Sequence, residues 1–473
     1  MPGRPRRLGT LAAVCSLAAI VAGCSLVPPY LRPPAPVPVA YPAATNEGPP
    51  AGRVAPPSRD LAWRSFFTDP ALRHLISTAL ANNRDLLMAS ARVREARALY
   101  RVQSAAGLPA VDAKLTAMVP RAAAGDYGNQ AGLSVRSYEL DFFGKVESLS
   151  SAALHDYLDT AQARRTAQLG LVAEVARMHV LERSAAARVT LAERTLRSRR
   201  ATVMLVARRV DAGLSSPLDL RQAESLIAPT EADLVEQRLA RLRAGHALEL
   251  LMGYADPVPE IRPPLNDDWG RLQAGLPSDL LTARPDIMAA EERLKAANAR
   301  IGAARAAFFP SVELTTMGGV ASSTVGRLFG PGSAAWQFVP TITLPIFDGG
   351  RNEANLDLAQ ARRDAALADY EKTIQVAFRE VSDALAGQVL LERDLRARQD
   401  ARDGEADRLA LTSKRYLAGA IGYLDMLDAE RGLFMAEQNL IDAKRARLEN
   451  AINFYRALGG GQDEPDAAPL ATR

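Results

Sequence analysis

Two long stretches of the chain, Lys145 to Asp211 and Arg351 to Leu417, are equal in length and contain no proline. Within the second, Ile374, Phe378, Val381 and Leu385 step by four and three residues, the spacing that lines up apolar side chains along one helix face. Each stretch predicts a single helix of about 100 Å. Further on, Leu427, Phe434, Ile441, Leu448 and Tyr455 recur every seven residues, which is the seam of a coiled coil. Leu218 to Met252 reads as the matching returning limb of the first stretch. Upstream, Asp69-Pro70 opens a helical pattern through Leu72, Leu75, Ile76, Ala79 and Leu80; Asn82-Asn83 interrupts it, and Arg84 to Ala106 continues it.

Period-two alternation replaces helical spacing in four places. Val111 to Val119 and Gly132 to Leu140 flank one Gly- and Pro-bearing loop, and Val312 to Val320 and Trp336 to Leu344 flank another, so two hairpins are expected. The alternation is imperfect around Arg136 and Glu139. A corner follows each hairpin, Phe142-Phe-Gly-Lys145 and Phe347-Asp-Gly-Gly-Arg351. Tilted strands of about nine residues are long enough to cross an outer membrane. Four strands cannot close a barrel, for which the minimum is about eight, and open sheet edges are excluded from hydrocarbon. Either the strands complete a barrel with further copies of the chain, or they form a small soluble sheet.

These elements come in duplicate. Arg209-Val-Asp-Ala-Gly-Leu-Ser-Ser-Pro-Leu-Asp-Leu-Arg-Gln-Ala-Glu224 returns as Arg415-Tyr-Leu-Ala-Gly-Ala-Ile-Gly-Tyr-Leu-Asp-Met-Leu-Asp-Ala-Glu430, an offset of 206 that still holds at Gly253/Gly459. Upstream the offset is 201, through Asp85/Asp286, Arg92/Arg293 and Pro109/Pro310. Two equivalent halves of one body follow, 63–253 and 285–459. The first holds hairpin 111–140 and helix pair 145–252, the second hairpin 312–344 and helix pair 351–458. Residues 254–284, with five prolines and a sixth at Pro285, form a linker between them, and 460–473 a polar disordered tail.

Composition sharpens this at the N-terminus. Arg4, Arg6 and Arg7 precede an apolar run from Leu8 to Val21 and then Val21-Ala22-Gly23-Cys24, the layout of a cleaved export signal, 1–23. The run is too short to span a bilayer core. Residues 24–62, with Pro28-Pro29, Pro33-Pro34, Pro49-Pro50 and Pro56-Pro57, can form neither helix interior nor central strand and read as an extended tether. Loss of the signal takes the formal net charge from +4 to +1, so nothing points to nucleic acid. Aromatic residues are only 5% of the chain, which favours long helices.

Val-Ala-Gly-Cys24 resembles the lipobox of bacterial lipoproteins, which implies acylation of Cys24 and, with Ser25 following, sorting to the outer membrane. With the tether, the duplicated units and the motifs Tyr138-Glu-Leu-Asp-Phe-Phe-Gly144, Leu344-Pro-Ile-Phe-Asp-Gly-Gly350 and Arg284-Pro-Asp286, the mature chain resembles the outer membrane factor family, TolC-like channels of tripartite efflux systems, in its lipoprotein branch. The resemblance implies a mainly α fold with a small membrane β-barrel: a homotrimer whose chains each give four strands to a shared barrel, above a periplasmic coiled-coil tunnel. It implies passive conduction of small toxic compounds, driven by an inner-membrane, proton-driven pump through a periplasmic adaptor. By the same resemblance the constriction falls on Tyr416, Leu424 and Asp428, with Arg415 or Arg431 as partners for the carboxylate, and the turns at Gly213 and Gly419 are what the adaptor grips. Leu424 as seam packing and Asp428 as a solvated helix residue remain open.

Enzymatic chemistry has no candidate. His74, His155, His179 and His246 are scattered without paired spacing, so neither a metal nor a catalytic histidine is expected. Gly459-Gly-Gly461 lacks the Lys-Ser or Lys-Thr of a phosphate loop, and no cofactor is implied. The rival readings are a lipidated coiled-coil adaptor or scaffold, disfavoured by the duplication, and a duct for protein export.

Overall fold

The computed structural model describes residues 25–42, 62–117, 128–254, 269, 272, 274–275 and 277–460. Cys24, the signal, the tail beyond 460 and the far end of the first expected strand lie outside the described residues. In chain order the elements are α1 (Trp63–Phe66), α2 (Pro70–Asn82), α3 (Arg84–Ala105), β1 (Val111–Thr116), β2 (Asn129–Leu140), α4 (Lys145–Asp211), α5 (Pro217–Glu224), α6 (Ile227–Leu251), α7 (Leu280–Ala283), α8 (Pro285–Ala306), β3 (Ser311–Ser322), β4 (Ala334–Thr343), α9 (Arg351–Leu417) and α10 (Tyr423–Ala457). The duplication is visible in the boundaries: α8 is α3 moved along by 201 residues, and α9 is α4 moved along by 206. The extra residues therefore fall between α8 and α9, in the second hairpin and the corner that follows it.

The chain divides into two compact units. One comprises Met1–Pro34, Ala91–Gln162 and Met288–Lys372, the other Ala35–Ser90, Ala163–Ile287 and Thr373–Arg473.

The first unit holds a four-stranded antiparallel sheet in the order β1-β2-β3-β4. At its base the two corners turn on glycines at positive φ, Gly144 at 68° and Gly349 and Gly350 at 66° and 83°, a conformation open to glycine at little cost. Asp141 then accepts from the Glu147 N–H at 2.7 Å and Asp348 from the Asn352 N–H at 2.9 Å, so the first turns of α4 and α9 are both capped by a carboxylate. The start of the extended proline-rich segment is packed against its own unit. Residues 25–34 lie along α8: Arg305 donates to the Leu26 carbonyl at 3.2 Å, Asn298 to the Pro28 carbonyl at 2.8 Å, and Arg32 forks onto Glu291 at 2.6 and 3.0 Å. A side chain at Gly302 would strike Val27, so that glycine is the notch in which the strap lies.

In the second unit, the Trp63-Arg-Ser-Phe-Phe67 stretch supplies an aromatic centre. Phe66 stacks on Tyr455 at 4.8 Å and Phe67 meets Trp269 edge-on at 5.2 Å, so Tyr455, the last residue of the heptad series, closes the core. Asp69 caps α2 by accepting from the Ala71 N–H at 2.9 Å and bonds the buried His179 at 2.8 Å. That hydrogen bond to His179, ahead of the cap, holds its carboxyl down at about 2. Asn83, between α2 and α3, is buried; its amide donates to the Leu251 carbonyl at 2.9 Å and its oxygen accepts from the Leu86 N–H at 3.0 Å.

The returning limb of the first half differs from expectation: it is two helices, α5 and α6, with a break at Ser225-Leu226. Pro229 explains it, because a proline has no N–H to give the carbonyl four residues back. Its counterpart in the second half is Met435, and α10 runs unbroken.

Candidate functional site

Register sorts every strand residue onto one of two faces. Pairing puts Val111 beside Val135, Ala113 beside Leu133, and Leu115 beside Ala131. Continuing across the sheet, Val135 faces Thr316, Leu133 faces Gly318 and Ala131 faces Val320; then Val312 faces Ile342, Leu314 Pro340, Thr316 Phe338 and Gly318 Trp336. One face is thus apolar from edge to edge. The other is mainly polar, with Asp112, Lys114, Gln130, Ser134, Glu139, Glu313, Thr315, Gln337 and Thr341 beside Met317 and Val339.

The imperfect alternation at Arg136 and Glu139 is a β-bulge. Register shifts between Val135 and Tyr138, so that Arg136 and Ser137 together oppose Thr315, and Ser137 has φ 51°. One inserted residue restores parity: Tyr138 and Leu140 return to the apolar face and Glu139 to the polar one. Opposite each other on the polar face stand Gly132 and Gly319, where an added Cβ would collide with the neighbouring strand's backbone. Crowding on that side is what a sheet curled with its polar face inward requires.

The apolar face is left open by the chain itself: Trp336 is 83% exposed and Ile342 70%. Large exposed apolar faces mark surfaces that meet something other than water, and apolar-out with polar-in alternation is the pattern of a membrane barrel wall. Among the described residues β1 and β4 each pair on one side only, which leaves two open edges.

The second candidate region is the pair of repeated turns. Each ends its long helix on a left-handed glycine, Gly213 at φ 70° and Gly419 at φ 73°. Leu214 N–H returns to the Arg209 carbonyl at 2.7 Å and Ala420 N–H to the Arg415 carbonyl at 2.9 Å, closing the orphan carbonyls of the helix ends. Their exits differ. Ser216 and Asp219 cap α5 reciprocally, at 2.9 and 3.2 Å, with Pro217 in the first position. Gly422 precedes α10 with no side-chain cap.

Between the turns lies an apolar cluster of Val206, Ala223, Leu226, Tyr416, Tyr423, Met426 and Leu427. Tyr416 meets Tyr423 edge-on at 5.8 Å, and Arg209 lies 4.8 Å over the Tyr416 ring. Leu424, by contrast, is 62% exposed and takes no part in packing this cluster. Asp428 is also exposed, and its partner is Arg408, with Nη1 donating to Oδ2 at 2.8 Å, not Arg415 or Arg431. The reason is geometric. Arg408 and Asp428 are equidistant from Ala418 in the turn, so an antiparallel pair brings them level, whereas Arg415 lies on the last turn of α9. Arg431 faces round the helix toward Arg199 and Tyr423, whose ionisation its charge opposes and favours respectively.

Three further residues were not singled out by the sequence. Glu430 is half-buried, accepts from Thr202 at 3.2 Å, and is pushed up by burial, against the pull of that bond and of Arg199. Burial also raises Tyr423. Arg199 is buried, donates to the Leu226 carbonyl at 3.2 Å and lies 5.1 Å over the Phe434 ring. Among the described residues no group of His, Cys, Asp and Glu could hold a metal ion; His155 and His179 are instead bonded to Glu292 and Asp69.

Known proteins converge on the same picture. The family model described as "Outer membrane efflux protein" matches residues 75–254 and 276–460. The chain is similar to Outer membrane protein OprJ of Pseudomonas aeruginosa, 42% identical over 463 residues that cover 95% of each chain. It is similar to the Toluene efflux pump outer membrane protein TtgF of Pseudomonas putida, 40% identical over 97% of this chain and 98% of that one. Among solved structures, the open state of the Neisseria gonorrhoeae MtrE outer membrane channel superposes with a TM-score of 0.84 at 38% identity, over 93% of this chain and 98% of that one. The sheet with its apolar outer face and the duplicated helix pairs are therefore parts of a channel, and the chain belongs to the outer membrane efflux protein family.

Proposed function

We propose that the chain is the exit duct of a tripartite efflux system, a homotrimer that conducts passively while an inner-membrane pump, coupled through a periplasmic adaptor, supplies the energy. The observation that carries this reading is the sheet: apolar on one face, mainly polar on the other, and open at both edges. Unpaired edges in hydrocarbon cost several kcal/mol per backbone group, so copies of the chain pair edge to edge. Three copies give twelve strands, comfortably above the roughly eight that a closed barrel needs. Its polar face then lines the aqueous path. TtgF is named for toluene, and small toxic organic compounds are the cargo proposed here.

The gate is proposed at the second turn. Leu424, free of packing within its own chain, supplies a hydrophobic ring and Asp428 a ring of carboxylates, while Tyr416 anchors α9 to the cluster beneath. Opening is a loosening of the α9–α10 pair, which the missing side-chain cap at Gly422 favours over the boxed first turn. The turns at Gly213 and Gly419 present the surface for the adaptor. Replacing Asp428 with alanine is expected to raise the resting conductance of the purified channel in a planar bilayer; an unchanged conductance removes Asp428 from the gate.

Cys24 is the proposed lipidation site. Labelled palmitate should be incorporated into the wild type and not into Cys24→Ala, and an unlabelled wild type would refute the anchor.

A further inference from the structure

The α9–α10 pair carries a polar clasp that the first pair lacks. Arg408 donates from Nη1 to Asp428 Oδ2 at 2.8 Å, from Nη2 to the Asp428 carbonyl at 3.1 Å, and from Nε to Glu405 Oε2 at 2.8 Å. One guanidinium thus joins three acceptors on two helices, a geometry that suits its planar fork and not an ammonium. Gly432 makes the room: a Cβ there would run into Glu405 Oε2 and Arg408 Nη2.

The duplication supplies an internal comparison. The residues 206 positions before Glu405, Arg408, Asp428 and Gly432 are Arg199, Thr202, Gln222 and Leu226. There the glycine's counterpart, Leu226, is buried in the apolar cluster, and the arginine donates to that leucine's own carbonyl. The first pair is closed at this level by a buried side chain. The second is closed by charges at the surface, with Asp428 71% and Arg408 41% exposed, where each bond is individually weak and sensitive to salt.

We propose that Arg408 is the positioning residue of the gate, holding Asp428 at a fixed place on α10 and neutralising it so that three copies of the carboxylate can approach one another when the channel is shut. Gly432 is the notch that admits the clasp. The proposal rests on Asp428 lying at the gate, as argued above. Without either partner the tie between α9 and α10 is lost, and without Arg408 alone the three carboxylates also repel, so the closed state loses population.

The test is resting conductance of the full-length protein in planar bilayers, with oligomer mass checked for each variant. Arg408→Ala should raise the leak about tenfold, the combined effect of three exposed pairs of ordinary strength. Gly432→Leu, which keeps both charges but fills the notch, should do the same, and Arg408→Lys should recover part of the closure. In an Asp428→Ala background, Arg408→Ala should add nothing. A leak from Asp428→Ala with none from Arg408→Ala overturns the clasp and leaves the gate reading standing. Silence from both removes the gate reading itself. An equal added leak from Arg408→Ala in the Asp428→Ala background shows that Arg408 acts elsewhere, and also overturns the proposal.

Discussion

Arg284→Ala is expected to destabilise the second unit by about 3 kcal/mol, the low end for breaking a buried ion pair. The guanidinium is buried and forks onto Asp286 at 3.0 and 2.6 Å while its Nη1 bridges Glu380 at 2.7 Å and the Ala457 carbonyl at 3.0 Å. One side chain thereby ties the start of α8 to α9 and to the end of α10. Its removal takes the fork from Asp286, 32% exposed, and leaves Glu380, 23% exposed, with the longer contact to Arg456 at 3.6 Å, and a lost partner costs more than the bond itself. Arg284→Lys should restore only part, since an ammonium cannot fork. Thermal melting of the purified protein reads the effect, and a melting temperature equal to that of the wild type would contradict it.

The second large effect belongs to the membrane wall. Phe338 and Gln337 are neighbours in β4 and face opposite ways, paired with Thr316 and Met317. A lysine on the lipid face near the bilayer midplane costs about 2–4 kcal/mol per strand, and the proposed trimer would incur it three times. Phe338→Lys should therefore fail to assemble in the outer membrane. Gln337→Lys should assemble normally and shift the open channel toward anions. Outer-membrane fractionation reads the first outcome and reversal potential the second; equal tolerance of the two would mean that the faces are wrongly assigned.

Much of the fold was legible because it is local and repeated. The long helices span Lys145–Asp211 and Arg351–Leu417, inside longer proline-free runs, because the Phe-Gly corners and the Ala-Gly turns punctuate them in both halves. Both hairpins were legible for the same reason. The bulge at Arg136-Ser137 was not, because a parity shift in one strand looks like noise until the partner strand supplies the register. Pro229 was in plain view, yet the expected match to the unbroken second limb overrode it. The strap along α8 and the Arg284 cluster depend on contacts between residues far apart in sequence, which composition does not encode.

The gate shows the same division. Tyr416, Leu424 and Asp428 came from resemblance, and the structure seats the first in packing and leaves the other two exposed. Arg415 and Arg431 are near Asp428 in sequence, whereas the antiparallel pair, counted outward from Ala418, brings Arg408 level with it in space.

The central claim, that several copies of this chain close one gated membrane channel, is tested most directly by single-channel recording of the purified protein in a planar bilayer, with its oligomer mass measured in the same detergent. The account predicts a trimer that inserts and, at rest, conducts weakly. A monomer that remains in water and carries no current would contradict it.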